Sequence, residues 1–178
     1  MLVKTYSAAV TALEATTITI EVNLARGTSF HLSGLADTAV KESYDRIRAA
    51  IENIGYKAPT ADLTINMSPA DIRKEGSGYD LPLAIGILAA YSKVAEDALK
   101  DYMMVGELGL DGKLKPVSGV LSVAIRARKE KFKGLIVPKE NVREAAVVNQ
   151  LEVYGMENIA DVIAFLNGAE NCEPTIID

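Results

Sequence analysis

The stretch Leu81 to Tyr91, LPLAIGILAAY, is apolar on almost every side of a helix. A helix with no polar face belongs in a protein interior, so other elements must wrap it. Pro82 is tolerated because it falls in the first turn, where its missing N–H costs nothing. The run is 11 residues long, well short of the roughly 20 that span a bilayer. A chain of 178 residues, 49% hydrophobic, is long enough to build one sizeable core around it.

The residues before it, Lys74-Glu75-Gly76-Ser77-Gly78-Tyr79-Asp80, admit three readings. A phosphate-binding loop needs G-x-x-x-x-G-K-[ST] or G-x-G-x-x-G opening a helix, and neither occurs in the chain. Asp80 would also repel a phosphate there. A nucleophilic Ser77 needs a base within hydrogen-bond reach, and the chain offers only its single histidine, His31, or a desolvated lysine. A purely structural loop makes Asp80 the N-cap of the apolar helix while the glycines turn the chain.

Upstream, VKTYSAAV, TTITIEVNL and TSFHLSG read as strands of an antiparallel meander. Alternation puts Phe30 and Leu32 on one face and His31 on the other. From Asp37, a plausible N-cap, the period changes. Val40, Tyr44, Ile47, Ile51 and Ile54 form one helical stripe ending near Gly55, and the charged Lys41, Glu42, Asp45, Arg46 and Arg48 read as its solvated face. ADLTINM is a strand, and Asp111-Gly112 signals a two-residue hairpin. Beyond it, VLSVAIRARKEKF, ENVREAAVV and ADVIAFLNG read as helices between the strands GLIVP and LEVYG. The expected fold is α+β, a mixed sheet with helices mainly on one face.

Net charge is −5 with a pI near 5.0, which argues against nucleic-acid binding through the general field but leaves local patches open. One cysteine, Cys172, and one histidine exclude an internal disulfide and a His/Cys zinc site. The N-terminus has no signal-peptide pattern, and the cytoplasm is the expected compartment.

Three segments, GLADTAVKESYDRIRAAIENIGY, LTINMSPADIRKEGSGYDLPLAIGILAA and VGELGLDGKLKPVSGVL, resemble the N-terminal domain of magnesium-chelatase-like AAA+ proteins of the ComM/YifB type. The resemblance implies the Lon proteolytic-domain fold, one of the ribosomal-protein-like α+β sandwiches, over residues 1–168. It further implies a linker at 169–178 leading to an AAA+ motor. Laid on the Lon nucleophile loop, the serine position falls on Gly78, with Ser77 one residue early. The Lon dyad lysine, which follows a segment similar to Pro116-Val117-Ser118-Gly119-Val120, falls on Leu121. The resemblance therefore implies vestigial positions at Ser77, Gly78 and Leu121, which ranks a Ser-Lys peptidase third, behind assembly and DNA contact. It also implies no cofactor in this domain, with ATP and magnesium confined to the motor.

The functions this leaves are assembly and DNA contact. The resemblance implies a DNA-processing, competence-type ATPase, whose Lon-like domain is expected to help build a homo-oligomeric ring beside its own AAA+ domain. An interface should leave apolar residues outside the core stripe, and YMMVGELGL and LIVP are candidates. For DNA, the segment IRARKEKFK gathers Arg126, Arg128, Lys129, Lys131 and Lys133. The bland alternative is a set of cations complementing a helix C-terminus. No membrane contact is expected.

Overall fold

A computed structural model describes residues 1–177. Strands β1 (Leu2–Thr11) and β2 (Glu14–Ala25) form a hairpin paired from Leu2↔Asn23 to Thr11↔Glu14. Its two-residue turn sets Ala12 at φ 55°. The meander stops there. β3 (Phe30–Ser33) pairs in parallel with β4 (Asp62–Ser68), which itself lies antiparallel against β2. The physical reason is length and pattern. The seven residues of β4 alternate Leu63, Ile65 and Met67 into the core and fill the edge of β2, whereas β3 has only Phe30 and Leu32 to offer. The chain leaves β3 at Gly34, where a Cβ would sit 2.2 Å from the Met67 carbonyl oxygen, so no larger residue fits.

The crossover from β3 to β4 is helical. α1 (Thr38–Lys41) and α2 (Ser43–Asn53) are interrupted at Glu42, so the expected single helix is two, although its stripe holds. Val40, Ile47 and Ile51 are buried and Tyr44 and Ile54 pack beside them. Asp37 caps α1 as expected, its Oδ1 accepting from Val40 N at 2.8 Å.

The apolar run is α3 (Asp80–Ala90), buried at every position. It lies across β1 and β2 at close range: a Cβ on Gly86 would meet Val22 Cγ2 at 2.8 Å. β5 (Tyr102–Met104), β8 (Gly134–Pro138) and β9 (Glu152–Met156) extend the sheet in parallel, giving the order β3-β4-β2-β1-β5-β8-β9. A separate ribbon joins β6 (Glu107–Leu108) to β7 (Leu114–Lys115). Asp111-Gly112 does lie in its turn, but the connection runs from Gly109 to Lys113 rather than through two residues. α4 (Val120–Lys129), α5 (Val142–Ala146) and α6 (Ile159–Leu166) complete the fold.

Two apolar clusters divide at the sheet. The larger joins α2, α3 and α6 to one face; the smaller sets α4 and α5 against β1, β5, β8 and β9 on the other. The half of that second face formed by β2 and β4 is polar, with Glu21 and Asn66 hydrogen-bonded across it. The fold is thus α+β with a mixed sheet, helically covered in full on one face only. LIVP and most of YMMVGELGL turn out to be core: Met103, Met104, Val105 and Leu108, with Leu135, Ile136 and Val137, are buried, and only Leu110 at the ribbon turn is exposed among the large apolar residues of the two segments. In the tail, the Thr175 N–H donates to the Val153 carbonyl at 2.8 Å and Cys172 packs against the larger cluster.

Candidate functional site

The glycine loop forms one wall of a cleft of about 630 Å³. Opposite it stand Pro116 to Gly119, the turn into α4, and the end of β1 with its hairpin turn supplies Ala8, Val10 and Ala12. Three charged residues pin the loop. Asp37 divides its carboxylate between two jobs, Oδ1 capping α1 and Oδ2 accepting from Gly76 N at 3.0 Å. Gly76 sits at φ +84°, a left-handed conformation suited to glycine. Lys74 is fully buried. Its ammonium donates to the carbonyls of Gly34, at 2.6 Å, and Pro69, while its backbone bonds Leu35 and Asp37. Burial pushes the Lys74 ammonium below the ordinary lysine value, with Asp71 opposing the shift.

The third pin corrects an expectation. Asp80 is not the N-cap of α3; Tyr79 holds that position and makes no side-chain cap. The Asp80 carboxylate is instead completely buried and takes Arg46 Nε at 2.8 Å, Arg46 Nη2 at 2.9 Å and Leu108 N at 3.0 Å. Arg46 therefore leaves the solvated face assigned to it. Its Nη2 also reaches Ala39 O and Ser43 Oγ, and the bond to Asp80 raises the guanidinium pKa further. Helix α2, the start of α3 and the β6 ribbon meet at this one pair.

These bonds also decide what the loop can bind. Leu81 N donates to Gly106 O at 3.0 Å and Gly106 N to Gly78 O at 2.9 Å, so the start of α3 is closed by protein groups and carries a carboxylate. That arrangement does not fit a nucleotide phosphate. Among the described residues, no three His, Cys, Asp or Glu gather into a metal-holding group, and no helix is long and apolar enough to cross a membrane.

Ser77 and Gly78 both line the cleft. The Ser77 hydroxyl donates to Glu107 Oε1 on β6. Gly78 faces Val117, whose Cγ1 would lie 3.4 Å from a Cβ placed there. Leu121 is not part of the cleft lining; it lies on the outer side of α4, 39% exposed, with its N–H donated to Glu144 Oε2 at 3.1 Å. Among the described residues, the lining contains no lysine, arginine or histidine. His31 is exposed on β3, as alternation required. In the basic segment, Arg128, Lys129, Lys131 and Lys133 are exposed. Arg126 is engaged, paired with Glu130 at 2.7 Å and bonded to Thr17 Oγ1 at 3.2 Å.

Sequence reasoning missed Glu107, Lys74 and the Arg46–Asp80 pair. A faint signal existed for Arg46, which lies one turn from Ser43 and Ala50; small residues flanking a long cation mark the edge of a buried stripe. Nothing local marked Glu107, which the bonds of Gly106 to Gly78 and Leu81 bring beside Ser77.

Comparison with known proteins places these features in a lineage. A family model described as subunit ChlI of Mg-chelatase matches residues 20–141. The chain belongs to the magnesium-chelatase-like ComM/YifB family. It is 43% identical over 166 residues to the competence protein ComM of Haemophilus influenzae, covering 93% of this chain and 32% of that protein. It is 40% identical over 169 residues to YifB of Escherichia coli, covering 94% and 33%. Lon protease 2 of Bacillus subtilis is 31% identical over 120 residues, 67% of this chain and 20% of that protein. The chain thus spans about a third of the length of the ComM and YifB relatives it matches. The motif residues of this ComM/YifB-type chain now have physical roles: Asp37, Arg46, Lys74 and Asp80 brace the cleft loop.

Proposed function

We propose that this domain is a catalytically inert Lon-like accessory and assembly module of a magnesium-chelatase-like ATPase that acts on DNA. The observation that carries the reading is the hydrogen bond of Ser77 to Glu107 in a cleft lined by no lysine or histidine. A carboxylate is a poor general base for a serine hydroxyl, and Gly78, beside it, has no side chain at all. The 31% identity to a protein named Lon protease supports an ancestral active site; the Arg46–Asp80 ion pair and the buried Lys74 support its retention as a rigid brace. On this reading ATP and magnesium bind the AAA+ portion of the longer protein, and these 178 residues contribute structure. Casein or peptide digestion by the purified domain tests it: no cleavage is expected, and cleavage abolished by Ser77→Ala overturns it.

A second reading, DNA contact, is favoured by the exposure of Arg128, Lys129, Lys131 and Lys133 in a chain of net charge −5. Phosphate neutralisation is a local affair at physiological salt, where fields extend about 8 Å. Arg128→Glu with Lys129→Glu should weaken binding in a salt-titrated assay and flatten its salt dependence. Unchanged binding removes the patch from consideration.

A further inference from the structure

α4 carries two apolar stripes. Val120, Val123, Ala124 and Ala127 face the smaller core cluster. Leu121 and Ile125, four residues apart and so on one side of the helix, point outward at 39% and 45% exposure. Other exposed apolar side chains come to the same side. The hairpin turn brings Leu13, 88% exposed, with its carbonyl accepting from Ser122 Oγ at 3.1 Å. Val147, 55% exposed, ends α5, whose Glu144 is tied to the Leu121 N–H. Among the described residues, the other exposed large apolar side chains are Met1, Leu2, Val10, Leu35, Leu110 and Ile176.

We propose that this outer face of α4, centred on Leu121 and Ile125, is a self-association surface that packs against the same face of a second copy. The inference goes beyond the assembly reading above: a two-fold contact closes at a pair of copies, whereas a ring needs a separate head-to-tail contact. Charge complementarity selects the second copy as occupant. Arg128 continues the Leu121–Ile125 stripe by three residues and is exposed, and no carboxylate pairs with it among the described residues. Glu144 stands at the opposite end, beside the start of α4. When two such helices cross antiparallel about a two-fold axis near Val123, Leu121 of each meets Ile125 of the other. Each Arg128 then comes opposite the other copy's Glu144. The contact is self-complementary, as an isologous interface requires, with an apolar centre and charged rim. A nucleic-acid partner would satisfy Arg128 but be repelled by Glu144 and gain nothing from Leu13, Ile125 and Val147.

Sedimentation velocity across a concentration series tests it on the purified 178-residue chain. The wild type should self-associate, and Ile125→Glu, an exposed substitution that leaves the core intact, should weaken association by about tenfold or more. Arg128→Glu and Glu144→Arg should each weaken it, and the double charge swap should restore it. A wild type strictly monomeric up to about 1 mM, or self-association indifferent to Ile125→Glu and to the charge swap, overturns the proposal. The second of these leaves assembly standing through another face. Failure of the inert-cleft reading would appear instead as Ser77-dependent cleavage, with the sedimentation result unaffected.

Discussion

Removing Arg46 should unpin the cleft loop at a cost that the structure sets. Arg46→Met keeps a similar apolar stem but withdraws two of the three donors to Asp80, leaving its completely buried carboxylate with Leu108 N alone. Stranding a buried charge in this way costs about 3–5 kcal/mol. For a chain of this size each kcal/mol moves the midpoint by about 2–4 °C, so thermal unfolding followed by circular dichroism should drop by roughly 6–20 °C. Lys139 and Glu157 supply the control. Their separation of 2.7 Å is as short, but both are exposed, so Lys139→Met should leave the midpoint unchanged within error. Burial, not length, makes the difference. Adding Asp80→Leu to Arg46→Met removes the stranded charge and should recover much of the loss, short of the unpaired Leu108 N–H at about 1–3 kcal/mol. An Arg46→Met midpoint indistinguishable from that of Lys139→Met would refute the bracing argument.

Three further outcomes follow from the same geometry. Gly86→Ala should destabilise by about 1–3 kcal/mol, read from urea unfolding, because its Cβ would press on Val22 at 2.8 Å between α3 and the sheet. Lys74→Met should raise hydrogen exchange at Gly76 to Tyr79, since the carbonyls of Gly34 and Pro69 lose their shared donor and the loop its anchor; unchanged protection would assign the anchoring to Asp37 alone. Stability should also have a maximum in alkali. The folded pKa of Lys74 is lowered, so the penalty for burying its charge is full at low pH and fades as pH climbs toward about 10.4. Tyr79 and Tyr91 are raised by burial, Tyr91 to about 12, so the stability they confer is complete below about pH 10 and lost as pH rises through their folded values. Tyr91→Phe should soften the alkaline fall, and a urea midpoint that does not fall above pH 10 would contradict the assignment.

Local pattern carried much of the architecture. The all-apolar α3, the Val40–Ile54 stripe, the alternation of β4 and the positions of β8, β9 and α6 follow from periodicities that tertiary structure reinforces. Strand order does not follow from pattern. Nothing within TSFHLSG announces that β4 will claim the edge of β2, because that choice depends on which apolar alternation is longer. The cleft was legible only as a loop. Asp80 has the residue type and place of an N-cap, and only the arrival of Arg46 from α2 and Leu108 from the ribbon converts it into a buried ion pair. Arg126 shows the reverse: one member of an apparently uniform basic run is withdrawn by Glu130 four residues on and by Thr17 from β2.

The central claim is that Ser77 is held as a hydrogen-bond donor to Glu107 and is not activated as a nucleophile. Intact-mass measurement after incubation with a fluorophosphonate, which adds covalently to activated serines, tests it most directly. The wild-type chain should remain unmodified; a single adduct mapped to Ser77 and absent from Ser77→Ala would contradict the account.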